Sequence, residues 1–204
     1  MALAMVGERR VERARSEGTD LDEAALQEAA PREARSAWLE TPVGRMVAVA
    51  TESSLLLLEF ETRRGLDASL ERLSLSYRVS AGRTTPLDSV ERELRAYFAG
   101  QLREFRTPVA LHGTEFQVAV WRALQNLPAG STVSYGQLAS QLGNPRSVRA
   151  VAQANGANRL AVIVPCHRVI EANGGLGGYG GGVETKRWLL EHERAAFGAP
   201  GRLF

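Results

Sequence analysis

The chain has 204 residues, of which 44% are hydrophobic and 24% charged, and its formal net charge is +2. That composition excludes a disordered or fibrous chain, and no apolar run approaches the roughly 18 residues of a membrane-spanning helix. The single cysteine, Cys166, excludes an intramolecular disulfide and a multi-cysteine zinc site, and three histidines are too few for a His-rich metal cage. We therefore expect a reduced, cytoplasmic protein with no cofactor, no bound metal and no membrane partner.

Residues 1–35 form a polar, charge-mixed segment with eight acidic residues and six arginines. Helix-forming residues occupy positions 21–30, and Pro31 follows them. Because a segment with so few apolar residues buries little surface, we predict an N-terminal extension that is partly helical and weakly ordered.

Residues 36–110 show strand and helix patterns that indicate a small α/β or α+β unit. The predicted elements are strands within residues 37–60 with a turn at 43–45, a helix at 66–73, a strand at 77–80, and a helix at 89–98 that stops at Gly100. This half of the chain shows no catalytic constellation of its own.

From residue 111 onward the pattern becomes helical. Thr114 and Gln117 have the spacing of a capping box, in which each side chain bonds the backbone N–H of the other at the start of a helix. Apolar residues then recur at helical spacing as far as Leu127. We therefore predict a first helix that begins at Thr114 and ends near Leu127.

Two further helices are predicted next to each other. One covers residues 135–142 and stops at Gly143, and Asn144 is expected to cap the next, which has Pro145 at its first position and runs to about residue 155. A short turn containing glycine between two helices is typical of a helix-turn-helix.

The third predicted helix combines small residues with arginines. Arg146 and Arg149 lie near its start, and Ala150 and Ala154 would allow close approach to another surface. The helix lies within residues 117–170, a span without Asp or Glu whose basic residues are Arg122, Arg146, Arg149, Arg159 and Arg168. Such a span suits the major or the minor groove of DNA. A helix packed inside the core, in a span that lacks acids because it is buried, stays open as the alternative.

Cys166 and His167 follow an apolar, β-branched run at residues 160–164. A lone cysteine is most often a small buried hydrophobe, and a thiol with a pKa near ~8.5 needs a base or a positive charge to become a nucleophile. Neighbouring side chains on a strand point to opposite faces, so contact between Cys166 and His167 needs a turn or a bridging water. A third polar group should orient the histidine, and Asn158 and Glu193 are candidates.

Residues 165–169, Pro-Cys-His-Arg-Val, resemble the active-site signature of the O6-alkylguanine-DNA alkyltransferases, a family of direct-reversal DNA repair proteins. The similarity covers most of residues 111–193, with motifs at 113–117, Trp121, 134–139, 143–145, 149–151, 155–158, 178–182 and 186–193. It implies an α+β protein of two domains, a small ribonuclease-H-like α/β domain at residues 36–110 and a helical DNA-binding and alkyl-acceptor domain with a helix-turn-helix at residues 111–204. Residues 1–35 have no counterpart in the family.

The resemblance also implies a function, the irreversible and stoichiometric transfer of an alkyl group from O6-alkylguanine or O4-alkylthymine in double-stranded DNA by a monomer that flips the damaged base out of the duplex. The implied catalytic residues are Cys166 as the acceptor, His167 as a base acting through a water, Glu193 as the group that orients His167, and Asn158, which holds the turn. The implied DNA contacts are Tyr135 at a phosphate, the intercalating Arg149, and Asn144, Gln137 and Ala150. The implied substrate contacts are Tyr179 as a hydrogen-bond donor, main-chain groups near Val169, and the pocket wall at Gly180.

Three positions depart from the family's pattern. Some members hold a structural zinc in the N-terminal domain through cysteine and histidine. Because Cys166 is the one cysteine of this chain, we predict no zinc site here. Gly180 stands where the family often has a polar residue, and Ala161 stands where some members have a proline. We expect these small residues to widen the pocket for bulkier alkyl groups.

Two other functions stay open from the sequence. An alkyltransferase-like protein binds and flips the lesion without transfer, but such proteins lack the acceptor cysteine that Cys166 provides. A Cys-His hydrolase would turn over repeatedly and bind DNA weakly. The acid-free span and the helix pair that carries Tyr135 and Arg149 argue against a hydrolase.

Overall fold

The computed structural model describes residues 31–198, which form a small sheet followed by a helical region. The strands are β1 (Arg32–Leu39), β2 (Met46–Ala50), β3 (Leu55–Phe60), β4 (Tyr77–Ala81), β5 (Val133–Ser134) and β6 (Val169–Ile170). The helices are α1 (Leu66–Ser74), α2 (Thr85–Phe98), α3 (Glu115–Gln125), α4 (Tyr135–Gln141), α5 (Val148–Gly156) and α6 (Val183–Phe197), with 3₁₀ turns at Pro145–Ser147 and Cys166–Arg168. The helix expected at residues 21–30 lies outside the described residues.

Four strands form the main sheet in the order β3-β2-β1-β4. β1 and β2, and β2 and β3, pair antiparallel, whereas β4 runs parallel to β1 after α1 has crossed over. Gly44, at a φ of 108°, makes the turn between β1 and β2 that the sequence predicts. Arg32 already pairs with Tyr77 of β4, so the sheet takes in the last residues of the segment expected to be an extension, because β4 offers their backbone a partner.

The strands β2 and β3 are buried along their whole length. On one face, Val47 and Leu57 belong to a cluster that also contains Leu66 of α1. On the other face, Met46 and Leu58 belong to a larger cluster that includes α2 and continues into the helical region. The sheet is therefore one wall of the core on which the second half of the chain is built.

The helix predicted from Thr114 is present as α3, and its capping box is complete. The Gln117 N–H donates to Thr114 Oγ1 (3.3 Å) and the Thr114 N–H donates to Gln117 Oε1 (3.0 Å). A second capping box, which the same spacing could have revealed, starts α4: the Gln137 N–H donates to Ser134 Oγ (3.1 Å) and the Ser134 N–H to Gln137 Oε1 (2.7 Å). Both helix starts are thus set by local sequence.

The helix pair α4 and α5 confirms the predicted arrangement of two helices joined by a tight turn at Gly143, which has a φ of 77°. The predicted cap is wrong in detail. The Asn144 side chain makes no capping hydrogen bond. The main-chain carbonyl of Asn144 instead accepts from the Ser147 N–H (3.0 Å) and from Ser147 Oγ (2.7 Å). A 3₁₀ turn therefore precedes α5, since these bonds span three residues.

The segment before Cys166 is a tight turn that pairs with the edge of the sheet through one bridge. The Leu58 N–H donates to Arg159 O (2.9 Å), and the Ala161 N–H donates to Leu58 O (2.8 Å). Val162 then adopts a φ of 71°, which a β-branched residue rarely does. The β-branched run is thus bent into a turn, although its composition favours a strand. Within residues 31–198, no helix is both long and apolar enough to cross a membrane.

Candidate active site

Cys166 lies in a 3₁₀ turn, where it is 6% exposed. Asn158 Nδ2 donates to Cys166 Sγ (3.2 Å) and to Val164 O (2.8 Å), and Asn158 Oδ1 accepts from the Leu160 N–H (3.0 Å). Asn155 Nδ2 donates to Cys166 O (3.3 Å). These bonds give Asn158 the turn-holding position that the sequence assigns to it, and they aim its amide at the thiol.

His167 is completely buried beside the thiol-bearing residue. Its Nε2 donates to Glu193 Oε1 (2.8 Å), while its Nδ1 has no hydrogen-bond partner among residues 31–198. Because Nε2 faces a carboxylate, the proton of the neutral ring lies on Nε2, and the lone pair on Nδ1 is free to accept. Cys166 and His167 both lie in the 3₁₀ turn, so their side chains do not point to opposite faces as they would on a strand.

Glu193 is the centre of a buried hydrogen-bond network. Besides the His167 bond, it accepts from Tyr97 Oη (2.9 Å), from the Gly130 N–H (2.9 Å), and from Arg168 Nε (2.9 Å) and Nη2 (2.7 Å). Burial alone would raise the pKa of this carboxyl, but the bonds and charges of His167 and Arg168 hold it well below its usual range. Glu193 is therefore ionised at neutral pH.

The resting protonation states follow from burial. Desolvation lowers the pKa of His167, although the Glu193 bond acts in the opposite direction, so the ring is neutral at pH 7. Desolvation raises the pKa of the Cys166 thiol, and the Asn158 bond opposes that rise. The acceptor is thus a thiol at rest and needs a base in order to react.

A cavity of about 510 Å³ opens next to this network. It is lined by Arg63, Arg64, Tyr135, Ala152, Asn155, Gly156, Glu171, Gly177, Gly178, Tyr179 and Gly180. The Tyr179 hydroxyl is buried and has no hydrogen-bond partner in the described part of the chain. Desolvation, followed by the charge of Cys166, raises the pKa of Tyr179 well above its usual value. Desolvation and the charge of Cys166 also raise the pKa of Tyr135. A negative charge on Cys166 therefore acts on both phenols in the same direction.

The glycine-rich loop at residues 174–182 packs closely on the N-terminal sheet. A Cβ on Gly181 would lie 2.5 Å from the Phe60 ring, and one on Gly180 would lie 2.5 Å from Arg63 Nη1. The expectation that Gly180 leaves the pocket wider is therefore wrong, because the Arg63 guanidinium occupies the freed space. Ala161 is buried in the core and does not line the cavity, so it does not widen the pocket either.

Lys186, the only lysine of the chain, is completely buried under the same loop. Its ammonium donates to Val169 O (2.7 Å) and to Leu176 O. It thereby ties the strand that follows the acceptor to the start of the glycine-rich segment. The Val169 carbonyl, in the main-chain region expected to meet the substrate, already accepts this hydrogen bond.

The face formed by α4 and α5 is exposed. Arg146, Arg149, Ala150, Asn144 and Gln137 all lie on the surface there, and Tyr135 is half-buried at the cavity. The Gln137 side chain is engaged in its capping box.

Two residues that the sequence placed on the surface expected to meet DNA lie elsewhere. Ala154 is 2% exposed, and its carbonyl accepts from Trp121 Nε1 (2.8 Å), so the groove approach expected of it is wrong. Arg168 is buried against Glu193. The positive face is therefore smaller than the acid-free span indicates.

Several site residues come from outside the motifs read in the sequence. Tyr97 of α2, Phe60 and Glu59 of β3, and Arg63 after β3 all reach the site from the first half, which offers no constellation of its own but supplies the walls. The sequence offers one signal for this contribution, because Glu59 is a charged residue inside the otherwise apolar strand β3. Within the described part of the chain, no group of three or more His, Cys, Asp or Glu side chains is placed to hold a metal ion.

Comparison with protein families gives two adjacent matches. Residues 35–111 match the model described as "6-O-methylguanine DNA methyltransferase, ribonuclease-like domain". Residues 115–195 match the model described as "6-O-methylguanine DNA methyltransferase, DNA binding domain". The α+β fold with a ribonuclease-like first domain and a DNA-binding second domain is thereby confirmed.

Individual relatives agree with the family matches. The chain is 48% identical over 140 residues to the methylated-DNA–protein-cysteine methyltransferase of Mycobacterium tuberculosis (strain ATCC 25618 / H37Rv), covering 67% of this chain and 85% of that protein. It is 45% identical over 163 residues to the protein of the same name from Salmonella typhimurium, covering 76% and 92%.

Solved structures are similar as well. The crystal structure of Mycobacterium tuberculosis O6-methylguanine methyltransferase has a TM-score of 0.71 at 39% identity, covering 83% of this chain and 96% of that one. The crystal structure of Mycobacterium tuberculosis OGT in complex with DNA has a TM-score of 0.69 at 40% identity, covering 80% and 94%.

Proposed function

The chain belongs to the 6-O-methylguanine DNA methyltransferase family, and on that premise we propose that it repairs DNA by moving the alkyl group of O6-alkylguanine irreversibly onto Cys166. The observation that carries this proposal is the buried group of Cys166, His167 and Glu193. His167 donates from Nε2 to the Glu193 carboxylate, and its Nδ1 has no hydrogen-bond partner in the described residues. The adjoining cavity of about 510 Å³ lies in the usual size range of small-molecule sites.

Thiol activation is assigned to His167. Its neutral ring can take the Cys166 proton at Nδ1, and a water between the two groups would carry that proton, since Cys166 and His167 make no direct hydrogen bond in the described residues. Glu193 stabilises the imidazolium that forms, as a buried carboxylate does for a catalytic histidine. The Asn158 amide, 3.2 Å from the sulfur, stabilises the thiolate.

The transfer itself is a single displacement. The Cys166 sulfur forms a bond to the alkyl carbon while the bond from that carbon to guanine O6 breaks, and the electron pair of that bond stays on the guanine. Tyr179, whose buried hydroxyl has no partner, donates a hydrogen bond as this charge develops. The products are a thioether and a guanine anion, which becomes a normal guanine when it takes up one proton, in the overall balance the one that His167 removed from the thiol. No group in the site can reverse the step, so each molecule acts once.

DNA is the partner of the α4–α5 face. We assign Arg149 and Tyr135 to the extruded nucleotide and its backbone, Asn144 and Gln137 to the backbone at the helix starts, and Ala150 to close approach in the groove. The small residue Ala150 and the exposed Arg146 and Arg149 near the start of α5 favour DNA contact by this face. The solved structure of a relative in complex with DNA supports the same assignment. A flipped base reaches the cavity past Tyr135, at a cost of a few kcal/mol in lost stacking.

The finer assignments belong to the same proposal. The acceptor domain comprises residues 111–204 and the ribonuclease-like domain residues 36–110, which β1 extends back to Arg32. Gly180 and Val169 border the base, O4-alkylthymine is a second substrate, and the protein acts as a monomer in the cytoplasm. Neither a metal nor another cofactor takes part in the displacement.

Intact-protein mass spectrometry tests the proposal. After incubation with a duplex that contains one O6-methylguanine, the protein should gain the mass of one methyl group in place of one hydrogen, and a Cys166→Ala variant should bind the same duplex and gain nothing. An unmodified duplex is the matched control. Tight binding without a mass change would instead support a lesion-binding protein without transfer.

A further inference from the structure

Two charged residues of the N-terminal sheet lie against the acceptor site and take no part in the displacement. Glu59 lies next to last in β3 and is completely buried, and Arg63 follows in the loop before α1 with 16% of its side chain exposed. Arg63 Nη1 lies 2.7 Å from Glu59 Oε1. A buried carboxylate in an apolar strand is costly unless it is paired, so this pair points to a role at the site.

Arg63 bridges the sheet to the end of α5. Its Nη1 donates to Asn158 O (2.9 Å) and its Nη2 donates to Gly156 O (2.9 Å). The last carbonyls of a helix have no partner within the helix, and a cation there also complements the helix dipole. The planar guanidinium suits two diverging acceptors, which a lysine ammonium would serve less well.

Asn158, one of the two residues whose carbonyls accept from Arg63, also contacts the Cys166 thiol. Asn158, whose carbonyl accepts from Arg63, uses its side-chain amide to donate to Cys166 Sγ (3.2 Å). On the basis of the proposed function, we propose that Arg63 is a positioning residue for the acceptor: its guanidinium holds residues 156–158 so that the Asn158 amide stays aimed at Cys166, and Glu59 holds the guanidinium.

Gly180 leaves the space that this bridge needs. A Cβ at that position would lie 2.5 Å from Arg63 Nη1 and 3.2 Å from its central carbon. Arg63 and Gly180 also line the same cavity. The loop residue and the arginine therefore fit each other, and a side chain at position 180 would push against the bridge.

The two members of the pair act on the thiol with opposite signs. Glu59 is paired with Arg63, and its charge also interacts with those of Arg159, Cys166 and Tyr179. Burial raises the pKa of Glu59 to about 7, against the opposing charge of Arg63, so this carboxyl ionises near neutral pH. Ionised Glu59 raises the pKa of Cys166, whereas Arg63 lowers it. A merely structural role would move both variants in the same direction.

Alkylation of the thiol by iodoacetamide across pH measures this directly, because Cys166 is the only cysteine. Arg63→Ala should move the midpoint up by about one pH unit, which slows the reaction about tenfold at neutral pH. Glu59→Gln, which removes the charge but keeps an oxygen next to Arg63, should move the midpoint down. Arg63→Lys should fall between wild type and Arg63→Ala. Arg78→Ala, which removes an exposed arginine of the same sheet, should match wild type.

Single-turnover transfer from O6-methylguanine duplex should rank the variants in the same order. If the wild type transfers nothing, the proposed function fails, while the iodoacetamide profile still decides the role of Arg63. Profiles of Arg63→Ala and wild type that coincide, or shifts of Arg63→Ala and Glu59→Gln in one direction, would overturn the positioning role. If Arg63→Ala does not fold, wild-type midpoints in both Arg63→Lys and Glu59→Gln overturn it.

Discussion

Helix α5 joins two regions of opposite character. At its start, Arg149 is exposed, and neither it nor Arg146 makes a side-chain hydrogen bond or ion pair to any other residue between 31 and 198. At its end, Asn155 is 5% exposed and donates a hydrogen bond to Cys166 O, and the buried Glu193 nearby in the same site has four protein partners. The same nine-residue helix therefore carries free charges at one end and a closed network at the other.

The difference shows how each region should respond to change. An exposed side chain acts through its own charge, so its loss affects the DNA contact and leaves the fold intact. A buried group that shares partners leaves unsatisfied donors when it is removed, so its loss reaches the fold and the chemistry together. Variants that separate stability from binding are therefore the way to test the contrast.

Glu193→Gln should have the largest effect. The change removes the charge that faces Arg168 and leaves that buried cation without its partner, which costs about 3–5 kcal/mol in the free energy of unfolding. Urea denaturation measures it. Glu184→Gln, on the same helix with 84% of its side chain exposed, is the matched control and should change stability by less than about 0.5 kcal/mol. Equal effects from the two variants would contradict a closed network.

The same carboxylate predicts acid sensitivity. Because the folded chain holds the pKa of Glu193 below its usual range, its stabilising contribution is complete above the unfolded pKa near ~4.3 and is lost as the pH falls through the folded value. The unfolding free energy of the wild type should therefore fall between neutral and strongly acid pH more steeply than that of Glu193→Gln. Parallel curves would contradict this assignment.

Tyr179→Phe should separate chemistry from folding inside the buried region. The hydroxyl has no protein partner, so its removal leaves the fold as stable as the wild type or slightly more so. Loss of a donor to the developing charge should slow transfer by about 10²–10³-fold. Quench-flow transfer rates and urea curves on one preparation give both quantities. A variant that transfers at the wild-type rate would remove Tyr179 from the reaction.

Arg149→Ala should affect only the exposed region. We expect binding to lesion-containing duplex to weaken by about 1–3 kcal/mol, and the free energy of unfolding to change by less than about 0.5 kcal/mol. Fluorescence anisotropy at several salt concentrations measures the first quantity and urea denaturation the second. Arg78→Ala removes an equally exposed arginine from the far edge of the sheet, at β4. Equal losses of affinity in both variants would mean that net charge, and not the α5 start, governs binding.

Gly180→Ala should give the smallest effect. The added methyl group would press on Arg63, whose guanidinium can give way, so we expect transfer to slow by roughly threefold, less than in Arg63→Ala. Gly178→Ala is the matched control, because a Cβ there meets nothing within 4 Å. A Gly180→Ala variant that transfers bulkier alkyl groups less well but methyl at the wild-type rate would revive the idea that this position sets pocket width.

Local signals predicted much of the fold. The capping box at Thr114 and Gln117 depends on a spacing of three residues, and the turns at Gly44 and Gly143 depend on backbone freedom, so both could be found in the sequence. Cys166, His167 and Asn158 lie within ten residues of each other in the chain and could be associated by position. Their assembly is short-range, which is why sequence patterns reach it.

The remaining partners are distant in the chain. Tyr97 and Glu193 are 96 residues apart, and Arg63 and Asn158 are 95 apart, so only the packing of the sheet on the helical region brings them together. The inward orientation of Ala154 could not be predicted either, because a small residue suits a groove and a core equally. At Gly180 the sequence shows that a side chain is missing, but it does not show that the guanidinium of Arg63 fills the space.

Stoichiometry tests the central claim that Cys166 is the acceptor and acts once. With duplex that carries radiolabelled O6-methylguanine in large excess over protein, label transfer should stop at one methyl group per chain, and proteolysis should find all of it on the peptide that contains Cys166. Transfer that continues past one equivalent, or label on any other peptide, would contradict the account.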